Sequence, residues 1–172
     1  MLEKGYIQVY TGDGKGKTTA ALGLTLRALC AGGRVYFGQF MKGQDYSELA
    51  AVKHFERLRV VQFGDPHFVH GKPSPDDVSH ARSGLSQIDE ALASDRYDVV
   101  VLDEVNTALS CGLLSPQEVL AVLARRPARA EVVLTGRGAP REIIDAADLV
   151  TEMREIKHYY KKGVDARVGI EK

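Results

Sequence analysis

The chain has 172 residues, 44% of them hydrophobic, which is the length of one domain and enough apolar content for one core without a metal or disulfide staple. Lysine plus arginine and aspartate plus glutamate each total 23, so the net charge is zero, which excludes a global field that draws in nucleic acid or an anionic membrane. The two cysteines, Cys30 and Cys111, lack metal-ligand or redox-pair spacing and read as buried thiols in a reducing compartment.

The first residues lead at once into a strand pattern, and no apolar run approaches ~18 residues. The expectation is a cytoplasmic protein with neither signal peptide nor membrane span. From there apolar runs alternate with helix-period segments to the end of the chain, the pattern of an α/β fold with helices flanking a mostly parallel central sheet. Strands are expected at residues 6–10, 35–40, 58–63, 99–102, 132–135 and 149–153. Continuous hydrophobicity, clearest in Val99, Val100, Val101 and Leu102, indicates strands buried on both faces.

A first helix opens near Gly16 and stops at Gly32 and Gly33, where glycine can adopt the left-handed conformation that ends a helix. Ser74, Pro75, Asp76 and Asp77 form a helix start, with a hydroxyl cap, proline in the first turn and acids beside the positive helix end. Val78, Ala81, Leu85, Ile88 and Leu92 then share one face of what should be the longest helix. Ser115 and Glu118 have the spacing of a capping box. No repeat, low-complexity tract or linker interrupts the pattern, and residues 1–172 are expected to form one domain.

Chemistry is concentrated after three of the strands. Gly12, Asp13, Gly14, Lys15, Gly16, Lys17, Thr18 and Thr19 follow the first strand and open the first helix, the context of a Walker A phosphate loop. Inward-facing amides and the positive helix end make a concave anion site there, where Lys17 neutralises phosphate oxygens and the Thr18 hydroxyl ligates Mg²⁺. The first glycine of the general pattern is Thr11 here. The strand at 99–102 ends in Asp103 and Glu104, resembling a Walker B element in which the first acid holds Mg²⁺ directly or through water and the second faces the reacting group. Thr135, Gly136, Arg137 and Gly138 follow another buried strand at the ligand-binding edge of a parallel sheet, where Arg137 can reach a phosphate bidentately.

Several segments together resemble the corrinoid adenosyltransferases that use a P-loop NTPase-like three-layer fold: residues 11–19, Gln39 to Gly43, Val101 to Asn106, Leu134 to Gly138, Glu155 to His158 and Gly163 to Glu171. The similarity runs from about Tyr6 to Glu171, and Thr11 in place of glycine is normal for that family. The resemblance implies transfer of the 5′-deoxyadenosyl group of ATP to the Co(I) of a corrinoid, with release of the whole triphosphate. The nucleotide then lies in the loop in the reverse direction from P-loop hydrolases. Reduced cobalt is a strong nucleophile, so no general base is needed; the protein must stabilise the departing triphosphate and aim carbon 5′. Lys17, Glu104 and Arg137 are the expected catalytic residues, and Thr18, Asp103 and Glu104 the expected ligands of Mg²⁺ (or Mn²⁺). In this chemistry Glu104 positions metal or nucleotide, since activating water would waste ATP.

On the corrinoid side the resemblance points to the loop at 64–73. Family members place aromatic or bulky apolar residues there beneath the corrin ring, which makes Phe68 and Val69 the candidates in a chain with no tryptophan. His67 and His70 read as rim histidines, because an added axial ligand would make the metal harder to reduce. His158 either lines the pocket or serves the fold. Longer members carry an N-terminal extension over the site; the first strand here begins within a few residues of Met1, so shielding is expected from a dimer partner, or the site is more open. An electron-donating flavoprotein reductase and a homodimer are further implications. Two other readings stay open at this point, a generic P-loop ATPase or small-molecule kinase and a non-catalytic ATP-sensing module.

Overall fold

The computed structural model describes residues 3–64 and 73–172. His67, Phe68, Val69 and His70, the residues expected near the corrinoid, lie outside the described residues. Six strands form one sheet: β1 (Ile7–Thr11), β2 (Val35–Phe40), β3 (Leu58–Phe63), β4 (Val99–Asp103), β5 (Glu131–Thr135) and β6 (Leu149–Glu152). Their order is β3-β2-β4-β5-β1-β6, and every pairing is parallel. Each expected strand is present to within one residue at either end.

Helices α1 (Lys17–Cys30), α2 (Pro75–Ala93), α3 (Val105–Ser110), α4 (Pro116–Ala124) and α5 (Arg141–Ala146) complete the fold, with 3₁₀ helices over Ser47–Lys53 and Tyr159–Lys162. The alternation of side chains along β4 makes three layers of them. Val99 and Val101 point into the cluster built with Ala21 and Leu29 of α1, whereas Val100 and Leu102 point into the cluster built with α2, α3, α4 and Ile143 of α5. Both faces of β4 are therefore dry. Each buried valine or leucine there contributes about 1.5–3 kcal/mol over an exposed one.

Local chemistry sets the helix limits. At the end of α1 the amides of Gly32 and Gly33 bond back to the carbonyls of Leu29 and Ala28. Helix α2 is the longest, at 19 residues, and buries Ala81, Leu85, Ile88 and Leu92 as expected. Its start is a full capping box: Ser74 Oγ accepts from the Asp77 amide at 3.1 Å, and Asp77 Oδ2 accepts from the Ser74 amide at 2.8 Å. Ser115 and Glu118 repeat the device on α4, with the Glu118 carboxylate 2.8 Å from the Ser115 amide.

One expectation is corrected. Cys30 and Cys111 are exposed, not buried. Cys30 is the last residue of α1 and Cys111 the residue that ends α3, so each sits at a helix end where the apolar face has already run out.

The capping serines make a quantitative prediction. Ser74→Ala and Ser115→Ala should each lower unfolding free energy by about 1 kcal/mol in urea titrations. The Ser115 amide and hydroxyl hold the Glu118 carboxyl below its ordinary value of 4.5, so its stabilisation is complete above that value and is lost as pH falls through the lower folded value. The loss caused by Ser115→Ala should accordingly shrink on acidification.

Candidate active site

Because all strands run the same way, the carboxyl ends of β1, β2, β4 and β5 arrive at one edge of the sheet. There they surround a cavity of about 550 Å³. Its wall takes in Gly14, Lys15, Gly16, Lys17, Thr18 and Thr19 from the loop, together with Lys42, Glu104, Arg137 and His158. Gly12 and Asp13 stand outside that wall. Gly12 acts through its carbonyl, which with that of Gly14 accepts hydrogen bonds from Lys17 Nζ, each at 2.7 Å.

The loop owes its shape to what lies behind it. Gly14 donates its amide to the Met153 carbonyl at 2.7 Å, just past β6. Gly12 has a positive φ of 92°, and a Cβ there would meet the Met153 carbonyl oxygen at 2.4 Å, so no side chain fits. Thr11, the departure from the general motif, is the last residue of β1 and accepts from the Ala139 amide at 3.2 Å. Its hydroxyl ties the phosphate loop to the loop that carries Arg137.

At the centre is Asp103, fully buried at the end of β4. Its Oδ1 accepts from the Thr18 hydroxyl at 2.8 Å and the Thr135 hydroxyl at 2.6 Å. Its Oδ2 accepts from Lys42 Nζ at 2.8 Å and Gln39 Nε2 at 3.3 Å. The chain then turns sharply: Glu104 has φ 61° and ψ 13°, a left-handed conformation that costs a non-glycine residue about 1–2 kcal/mol. Thr135 compensates by accepting the Glu104 amide at 2.9 Å. The turn points Glu104 into the cavity wall while Asp103 stays below it. Glu104 Oε2 accepts from Thr107 Oγ1 at 2.5 Å, and Thr107 Oγ1 accepts from the Arg137 amide at 3.1 Å. Arg137 itself is exposed at the cavity rim, between Gly136 and Gly138.

Two ammonium groups lie here in opposite electrostatic situations. Burial pushes Lys17 below its ordinary value; Glu104 opposes this and Arg137 reinforces it. The hydrogen bonds of Lys17 Nζ go to the neutral Gly12 and Gly14 carbonyls, and no carboxylate among the described residues is bonded to it. Burial is the largest influence on Lys42 too and disfavours its charge, but Asp103, Glu48 and Glu104 together outweigh it and the net direction is upward. Lys42 also lies 3.7 Å from Glu48 and 4.9 Å from the Tyr46 ring centre.

Thr18, Asp103 and Glu104 suit a hard divalent cation. The Thr18 hydroxyl and Asp103 Oδ1 are 2.8 Å apart, and Thr18 and Glu104 line the same cavity. Among the described residues no group of three or more His, Cys, Asp or Glu side chains is placed to hold a metal ion. Mg²⁺ and Mn²⁺ take one or two carboxylates and complete their shell with phosphate and water.

Sequence reasoning assigned no role to Gln39, Lys42, Glu48, Thr107 or Thr135. One available signal was Gln39, a polar residue inside the apolar run of β2 at the carboxyl edge. The tail was also undervalued. Gly169, Ile170, Glu171 and Lys172 line the cavity, Lys15 Nζ is 3.4 Å from the Ile170 carbonyl, and Ser47 Oγ donates to the Lys172 carbonyl at 2.9 Å. His158 does both things expected of it: it lines the cavity, and its Nδ1 accepts from the Tyr160 amide at 3.0 Å.

The Asp103 network should be sensitive to loss of one hydroxyl. Thr135→Val keeps the shape but leaves the Glu104 amide unpaired and removes one donor from a buried carboxylate, which should cost about 1–3 kcal/mol in chemical denaturation. A change under a few tenths of a kcal/mol would show that the network is not coupled to the fold.

The ATP:corrinoid adenosyltransferase BtuR/CobO/CobP family model matches residues 3–171. The corrinoid adenosyltransferase of Pseudomonas aeruginosa is 39% identical over 171 residues, covering 98% of this chain and 84% of that protein. Those of Escherichia coli K12 and Salmonella typhimurium, the latter named corrinoid adenosyltransferase CobA, are each 36% identical over 171 residues, with 98% of this chain and 86% of theirs aligned. The chain therefore belongs to the ATP:corrinoid adenosyltransferase family.

Proposed function

We propose that residues 1–172 act as one nucleotide-binding domain that transfers the 5′-deoxyadenosyl group of ATP to the Co(I) of a corrinoid. The observation that carries the residue-level reading is the composition of the cavity wall. Lys17, Lys42 and Arg137 converge on it beside the phosphate loop, whereas Glu104 is held by Thr107. Such a wall is built to receive a polyanion, and its acid at the Walker B position is engaged in holding the site together.

In the proposed reaction the lone pair of Co(I) attacks carbon 5′, the carbon-cobalt bond forms, and the bond from carbon 5′ to its oxygen breaks. The electron pair of that bond leaves with triphosphate. Lys17 turns from the Gly12 and Gly14 carbonyls to the phosphate oxygens, the amides of Lys15 to Thr19 surround them, and Arg137 closes from the rim. Thr18, Asp103 and Glu104 would hold Mg²⁺ or Mn²⁺, which spreads the triphosphate charge. Glu104 positions these groups and abstracts no proton. The nucleotide would lie in the reverse direction from that in P-loop hydrolases, which puts carbon 5′ toward the corrinoid.

The remaining partners belong to the same proposal. Co(I) requires an outside electron donor, for which a flavoprotein reductase is the expected class. A homodimer is supported by exposed Leu149 and Val150 on the outermost strand and by exposed Ile156. Exposed free thiols at Cys30 and Cys111 suit a reducing cytoplasm. Among the described residues no helix is long and apolar enough to cross a membrane.

Protein incubated with ATP, Mg²⁺ and chemically reduced corrinoid should form the light-sensitive carbon-cobalt bond, and absence of that bond would count against the reading. Lys17→Ala should reduce the rate by at least about 100-fold, as expected when a donor to developing charge is removed. Near-normal rates in that variant would contradict the role given to the loop. With ATP and Mg²⁺ but no corrinoid, phosphate release should stay at background, since brisk hydrolysis would make Glu104 a water-activating base.

A further inference from the structure

Asp103 presents a problem of charge. Its carboxylate is fully buried, and two of its four hydrogen-bond donors are neutral hydroxyls and one a neutral amide. A buried carboxylate without a cation is strongly disfavoured. Lys17 does not supply one, because its ammonium is held by the Gly12 and Gly14 carbonyls. The cation in contact is Lys42, 2.8 Å from Oδ2.

We propose that Lys42 is a tethered stand-in for the divalent cation: it neutralises Asp103 in the free protein and is released to the triphosphate when the metal arrives with ATP. The inference rests on the placing of the metal at Thr18 and Asp103. Three features support it. Both Asp103 oxygens already have two donors, so a metal that ligates Asp103 directly must displace one of them. Lys42 is the donor whose positive charge is repelled by the incoming cation. It also lines the same cavity as Lys17, Thr18 and Arg137, so once released it meets the phosphates instead of leaving the site. It sits in the loop between β2 and the 3₁₀ helix over Ser47–Lys53, 4.9 Å from the Tyr46 ring centre and 3.7 Å from Glu48. Neither contact closes the way to the cavity, since Tyr46 and Glu48 line it too.

The exchange has an unusual signature, because removing Lys42 improves one kind of binding and weakens another. Titrating Mn²⁺ alone against the free protein, read by the electron paramagnetic signal of unbound Mn²⁺, should show Lys42→Met binding the metal about tenfold more tightly than wild type, with Lys42→Arg close to wild type. In excess Mg²⁺, ATP should bind Lys42→Met about tenfold more weakly, with affinity restored in Lys42→Arg; in EDTA, ATP affinity should stay within about twofold of wild type. A misfolded variant cannot produce tighter metal binding, and a purely structural ion pair would not make the loss of ATP affinity depend on metal. If Lys42→Met binds Mn²⁺ no more tightly than wild type, or loses ATP equally with and without metal, the stand-in role is overturned. Asp103→Asn separates that failure from failure of the metal placement: if this variant binds Mn²⁺ with ATP as tightly as wild type, the metal is not at Asp103, and both are overturned.

Discussion

A carboxylate held out of water at the end of a central strand constrains everything around it. Asp103 is satisfied only because four elements meet there: Thr18 from the start of α1, Gln39 from the end of β2, Lys42 from the loop that follows, and Thr135 from the end of β5. The interaction fixes how those strand ends sit relative to one another, and so fixes the cavity they surround. Thr135 serves twice, donating to Asp103 and accepting the amide of the strained Glu104. Stability and site geometry are coupled through that one hydroxyl.

Under the proposed function the same arrangement would let a loop common to ATP hydrolysis serve alkyl transfer. A hydrolase needs an acid free to take a proton from water. Here the Glu104 carboxylate is tied to Thr107, which in turn accepts the amide of Arg137. Acid and base of the wall are thereby linked through one threonine into a single positioned unit. In the proposed reaction Co(I) is the nucleophile, so the demand on the protein shifts to the leaving group, and the cations around the loop would meet that demand. The tail from Gly169 to Lys172 borders the cavity on the loop side, where Glu171 is held to an acid value of about 2 by Arg167 and Tyr159 and stays charged beside Lys15.

Much of this was legible in the sequence because it is local. Strand limits followed from apolar runs, and the Ser74 and Ser115 caps from residues three positions apart. The loop between β1 and α1 followed from nine consecutive residues. What could not be read is non-local. The contacts of Asp103 with Thr18, Gln39 and Lys42 join residues 85, 64 and 61 positions apart, and no periodicity carries them. The left-handed turn at Glu104 is likewise invisible, since glutamate gives no hint of positive φ. The cysteines were misjudged because burial was assigned from residue type, while their place at helix ends decided it. Gln39, a polar side chain interrupting an otherwise apolar strand, had a visible sign, as did Lys42 and Thr135 through the segments that contain them.

The group that leaves when the adenosyl group is transferred distinguishes alkyl transfer from phosphoryl transfer. Phosphorus nuclear magnetic resonance of the complete reaction, with ATP, Mg²⁺ and reduced corrinoid, identifies that group directly. The expected product is inorganic triphosphate, formed one for one with the carbon-cobalt bond and with no ADP. Orthophosphate and ADP as the primary products would contradict it, because the loop would then be acting at the terminal phosphate.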